Sequence, residues 1–229
     1  MSMADSPNIE EMRQVHQRAL CPKWQKSVLK NPLTHRLFRT FHPDFKNMLL
    51  KCASDLTDDQ ITGSEIEYEP QIWNQDDVKN RFNCYDYAFN NRWSRQNRKT
   101  QPGELSQKYD IDKRAYTCRY FDEMVKSDHP NMIKTTYNKK CPKGHYKVAL
   151  ILDVLGQDKD YHFIRQDKNG KWSHKPGYQN VRDVDASNYP IVIPHLANHN
   201  YKTHNYSKFC DYYCIKDDSW KEFQKNERD

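Results

Sequence analysis

Three residues of this 229-residue chain have the types and surroundings that thiol chemistry requires: Cys84, His145 and His162. A cysteine that opens a helix has its thiolate stabilised by the helix dipole and by free amide groups, which lowers its pKa and makes it a nucleophile. Cys84 heads the segment NCYDYAFNNRW, with Asn83 as a fair N-cap. His145 opens the apolar run HYKVALILDV, and His162 lies in the following DYHFIRQD. On neighbouring strands, His145 would accept the Cys84 proton as general base and His162 would hold its other ring nitrogen. The oxyanion would be held by the Cys84 amide together with Asn83 or Gln75. His174 and Asp167 are alternates to His162 as the orienting group, and Arg165 is read as the partner of a carboxylate. Against all this stands the plainer reading of Cys84 as a buried core thiol.

Positioning these groups takes a helix packed on a sheet. Asn83–Trp93 reads as a helix because Cys84, Ala88 and Asn91 share one face and Tyr85 and Phe89 an adjacent one. A second helix is expected over Tyr116–Val125. Tyr146–Val154 is a nearly continuous run of apolar residues, as in a strand buried on both faces, and it should lie at the sheet centre against the Cys84 helix. Two further strands flank Asp167-Lys168-Asn169-Gly170, where Asn-Gly signals a tight hairpin. A two-residue turn there places His174 opposite Arg165 and only diagonal to His162. Phe209–Ile215 alternates aromatic and polar residues like an edge strand. The reading is therefore α+β, with residues 1–70 as an irregular helical arm, 71–177 as the core and 178–229 as a polar extension.

The blocks NCYDYAF, QPGE, GHYKVALILD and YHF resemble the Cys, Pro-Gly, His and His blocks of the NlpC-type cysteine peptidases and amidases, a papain-like superfamily. The likeness covers Asn83 to about Phe163. It implies a papain-like fold, a small antiparallel sheet against a cysteine-bearing helix, with Cys84, His145 and His162 as nucleophile, base and orienting group. The substrate implied is an amide or ester. Two departures stand out: Tyr85-Asp86 replaces the small Ser-Gly that usually follows the cysteine, and a long insertion separates Pro102-Gly103 from His145. The segments DYHFIRQDKNGKWSHKPG, VDASNYPIVIPH and NYSKFCDYYC also resemble an uncharacterised group of domains associated with large DNA viruses and with shell-matrix proteins of molluscs. That likeness spans Asn83–Cys214 and implies no reaction; it implies a structural component, for instance a minor capsid protein, with the hydrolase fold reused as a scaffold.

Composition narrows the choice less than the motifs do. A mean hydropathy of −1.13 leaves little aliphatic core, but Tyr 15, Phe 9 and Trp 5 supply large side chains to bury. The net charge of +6 is spread without any block of five like charges, so a nucleic-acid partner is not indicated. MSMADSPNIEEMRQVHQ lacks the basic end and apolar run of a signal peptide, and no later segment is apolar enough to span a bilayer, so cytoplasmic synthesis is expected, with later incorporation into a virus particle on the structural reading. The cysteines, Cys 7 in all, are odd in number and widely spaced, which favours reduced thiols. His195, His199, His204, Cys210 and Cys214 have zinc-like spacings, yet Cys118 and Cys141 show no partner and nothing forces the histidines together, so neither metal nor cofactor is expected. Two hypotheses result. One is a thiol-dependent hydrolase or acyltransferase; the other is a non-enzymatic structural protein whose arm and extension lie against neighbouring subunits.

Overall fold

A computed structural model describes residues 60–92, 99–110 and 114–217. The chain divides into two units, Met1–Asp59 and Gln60–Asp229. The helices expected in the arm before Asp59 lie outside the described residues. The second unit is a mixed α/β structure with a mostly antiparallel sheet and few helices. Its helices are α1 (Pro70–Trp73), α2 (Asp76–Arg81), α3 (Cys84–Ala88) and α4 (Cys118–Asp128). Its strands are β1 (Ile133–Thr135), β2 (His145–Asp153), β3 (Asp160–Gln166), β4 (Trp172–His174), β5 (Asn200–Tyr201), β6 (His204–Asn205) and β7 (Lys208–Lys216). Five of them form one sheet in the order β1-β7-β2-β3-β4, every neighbouring pair antiparallel.

β2 lies at the centre, as its run of apolar residues demands, and is buried along both faces. Alternation along the strand divides those faces. Tyr146, Val148, Leu150 and Leu152 join Tyr161, Phe163, Tyr213 and Ile215 in the core beneath α3 and α4. Burying one such leucine contributes roughly 2 kcal/mol. The residues between them, including Lys147, Ala149 and Ile151, point to the opposite face. There Trp172, Ile191, Val192, Ile193 and Tyr212 are buried, and Trp172 is bridged to Ile191. β7 is not an edge strand. It lies between β1 and β2, so a segment of the expected polar extension completes the sheet.

Local chemistry sets the lengths of the helices. Asn83 and Asp86 form a reciprocal capping box: the Asp86 amide donates to Asn83 Oδ1 at 2.9 Å and the Asn83 amide donates to Asp86 Oδ2 at 3.0 Å. The helix expected to reach Trp93 stops at Ala88. Asn90 adopts a left-handed φ of +53°, and Asn91 turns back to Asp86, donating from its amide to the Asp86 carbonyl at 2.7 Å and from Nδ2 to Oδ1 at 2.8 Å. Asp128, at the end of α4, accepts from Tyr85 Oη at 2.8 Å and from the amides of Gly103 and Ser106 at 2.6 and 2.9 Å. That carboxylate fastens the Pro102-Gly103 turn to both helices.

The β3–β4 hairpin corrects the expected register. Asp167 and Lys171 still pair by a 2.8 Å backbone bond, so the loop has three residues, Lys168-Asn169-Gly170, with Gly170 at φ +79°. Ile164, not Arg165, faces His174. A shift of one residue exchanges the faces of a strand, and it places His174 on the same side as His162.

Candidate functional site

Cys84 opens α3, but its thiol is sealed in the core at 6% exposure. Sγ donates to the Tyr161 carbonyl at 3.8 Å. Burial pushes the thiol up to about 12, with the nearby Asp160 charge adding to the effect and the Phe163 amide opposing it. A helix of five residues offers too little dipole to overcome desolvation of that size.

Neither histidine reaches the thiol. His145 is paired with Lys216 at the opposite end of the sheet, whereas Tyr161, beside Cys84, is paired with Leu152. Seven residues of β2 separate those two levels, roughly 23 Å at 3.3 Å per residue. His145 also points away from the α3 face, and its Nδ1 lies 3.3 Å from the Lys143 carbonyl. His162 is adjacent to Tyr161 in sequence, yet alternation sends its side chain to the far side of the sheet. The three residues expected to act together thus occupy separate places. The expected oxyanion donors are also engaged or remote: Asn83 Nδ2 donates to the Thr100 carbonyl at 2.7 Å, and Gln75 is exposed at the start of α2.

On the far face His162 has a different partner. Its Nε2 lies 2.8 Å from Nδ1 of His174, whose Nε2 lies 3.1 Å from the Val184 carbonyl. A carbonyl only accepts, so His174 carries its proton on Nε2 and receives the His162 Nε2–H at Nδ1. Tyr206 packs against the His162 ring, and Tyr201 against His174. Burial holds both imidazoles neutral: His174 is pushed down to about 3, and His162 is lowered by burial and then by the neighbouring His174. The pair fastens β3 and β4 to the loop carrying Val184.

Between α3 and the hairpin lies a second buried polar network. Arg165 Nε donates to Asp167 Oδ1 at 3.0 Å, Nη1 to the Tyr87 carbonyl at 3.1 Å and Nη2 to Tyr87 Oη at 3.0 Å. Tyr87 Oη lies 2.6 Å from Ser173 Oγ. Arg165 is thus the carboxylate partner that was expected, and Asp167 serves it rather than a histidine. Every member is paired, the condition under which a buried ion pair fixes one arrangement of its elements.

The expectation of reduced thiols is overturned by two disulfides, Cys118–Cys210 and Cys141–Cys214. On an uninterrupted strand Cys210 and Cys214 would share a face. Pairing between β2 and β7 shifts between Leu150 and Ile151, leaving Cys210 as the extra residue of a β-bulge. Cys210 therefore turns towards α4 and Cys118, while Cys214 points to the other face and Cys141. No spacing rule in the sequence signals that change of side. With both cysteines consumed, the zinc-like set cannot form: His195 Nδ1 lies 2.6 Å from Tyr212 Oη and His199 Nε2 lies 2.7 Å from the Pro194 carbonyl. Among the described residues no three His, Cys, Asp or Glu side chains are placed to hold a metal, and no helix is long and apolar enough to cross a membrane.

No protein-family model matches the chain, and no solved structure matches it either. Among curated proteins it is similar to insoluble matrix shell protein 1 of Ruditapes philippinarum, 33% identical over 133 residues, which cover 57% of this chain and 79% of that protein.

Proposed function

The chain belongs to the family of insoluble matrix shell protein 1, and on that footing we propose that it is a non-enzymatic structural module, stapled by disulfides and used as a component of an insoluble extracellular matrix. The observation that carries the proposal is the way the cysteines are used. Cys118, Cys141, Cys210 and Cys214 cross-link the sheet on both sides, and Cys84 is closed into the core without an imidazole beside it. Disulfides of this kind persist in oxidising compartments. The relative's name supports the same setting, since it places that protein in a shell matrix.

In this reading the papain-like layout, a cysteine-bearing helix against an antiparallel sheet, serves as a scaffold. A hydrolase would need a base within hydrogen-bond reach of Cys84 and an open path to it. The far-face position of His162 and the distance to His145 speak for the structural role, whether the assembly is a shell matrix or a virus particle. The relative favours the matrix.

Fractionation of the producing tissue tests the proposal. The chain should stay with the residue left after salt extraction and be released by denaturant and reductant, with both disulfides intact beforehand. Recovery in a cytosolic extract, with these four cysteines as free thiols, would sink it.

A further inference from the structure

The loop between β1 and β2, residues 136–144, carries Lys139, Lys140 and Lys143 on its outer side, all exposed. It is held down firmly. Cys141 is bonded to Cys214, Lys147 Nζ donates to the Tyr137 carbonyl at 2.7 Å, and the Gly144 amide donates to Ser64 Oγ at 2.8 Å. The three lysines have no ion pair among the described residues. Nearby carboxylates are occupied elsewhere: Glu65 accepts from Thr62 and Gly63, and Asp217 from Asn90. Lys216, beside His145 in the sheet, adds a fourth cation at the same end.

From this arrangement we infer that the 136–144 loop is a binding surface for a sulfated polysaccharide. Free cations on a loop already fixed in place attract a polyanion without the entropy cost of ordering the loop. Lysines act as point charges without the bidentate fork that arginine offers to carboxylates, which suits sulfate groups spaced along a chain. A single-stranded nucleic acid calls for aromatic platforms on which bases stack. The loop's own aromatic, Tyr137, is buried, and the exposed large hydrophobic residues among those described are Ile133, Leu155 and Tyr178. A protein partner would need buried anchors at the centre of its interface, and beside its lysines the outward side of the loop offers only Thr136, Asn138, Pro142 and Gly144, with no large apolar residue. The inference concerns a surface away from Cys84 and stands apart from the matrix reading.

The experiment is retention of the full chain on immobilised dextran sulfate across a salt gradient. Two variants lose the same charge: Lys139→Gln/Lys140→Gln/Lys143→Gln on the loop, and Lys159→Gln/Lys202→Gln/Lys208→Gln at the other end of the sheet. The loop variant should bind about tenfold more weakly and the control within about twofold of the parent, because exposed charges act locally at physiological ionic strength. Equal losses in both would show a net-charge effect and overturn the assignment. Soluble polyaspartate or a single-stranded oligonucleotide of matched charge should compete less well than free dextran sulfate. Competition as strong as that of the sulfated polymer would reassign the surface to another class of polyanion.

Discussion

The two faces of the sheet are closed by different means. On one, α3 and α4 lay Tyr85, Ala88, Phe89, Phe121 and Val125 over the strands, and the buried acids Asp86 and Asp128 tie the connecting segments together. On the other, loops do the covering. Tyr137, Trp172 and Ile191–Ile193 supply the apolar part there, and His162, His174 and His199 supply buried bases. One disulfide reaches each face, both from β7. A face covered by helices carries its backbone bonds with it, whereas a loop-covered face must satisfy them through side chains and hold its segments by cross-links. The difference places the chemistry-bearing histidines on the side away from the cysteine.

The largest effect should come from the staples. Sequence separations of 92 and 73 residues give about 4–5 kcal/mol for each disulfide from chain entropy alone. Cys118→Ser/Cys210→Ser and Cys141→Ser/Cys214→Ser should therefore lose similar stability in urea unfolding. Only the second should also speed amide exchange in residues 136–144, since Cys141 then loses its tie to β7. Equal exchange in both variants would mean that the loop-covered face is no more dependent on its cross-link than the helical one.

Acid acts on the buried groups with opposite signs. Burial lowers His162, His174 and His199, and His129 on the helix side, so the unfolded chain binds more protons below about pH 6.5 and stability falls as pH falls. For a group like His174, lowered to about 3, the loss at pH 5 is roughly 2 kcal/mol. Asp86 works the other way. Its carboxyl is pushed up to about 6 by burial, so the folded state gains stability as pH falls from there towards 3.8. With more buried histidines than raised acids, the urea midpoint should drop between pH 7.5 and 5. A midpoint that rises would show that the raised carboxyls Asp86, Asp128 and Asp167 outweigh the buried histidines.

The smallest effect concerns the cap of α3. Asn83→Ala removes half of the capping box and the bond to the Thr100 carbonyl, and should cost about 1 kcal/mol. An unchanged unfolding midpoint would show that packing on the helical face fixes α3 without its cap.

Much of this architecture is legible in the residues. The central position of β2 follows from HYKVALILD, the capping role of Asn83 from its type and place, and a helix from the Tyr116–Val125 segment, observed as Cys118–Asp128. What cannot be read is which way each side chain points. β2 is apolar on both faces, so its pattern does not tell whether His145 and His162 share a side with Cys84. Asn-Gly fits both two- and three-residue loops, and the extra residue moved His174 next to His162. The bulge at Cys210 depends on how β7 meets β2, a long-range pairing that leaves no local signal, and it decides both disulfides. β7 reads as an edge strand because its half-buried first half alternates, while its buried half, Tyr212–Ile215, needs neighbours on both sides.

Whether Cys84 is a core thiol or a nucleophile is tested most directly by iodoacetamide alkylation of the native full chain from pH 6 to pH 9, with modification at Cys84 read by peptide mass. The expected result is no modification in this range except at the rate of global unfolding, with full modification in denaturant and no change in His145→Ala or His162→Ala. Rapid labelling of Cys84 with an apparent pKa below about 8, abolished by either histidine substitution, would contradict the account and restore the thiol as a catalytic group.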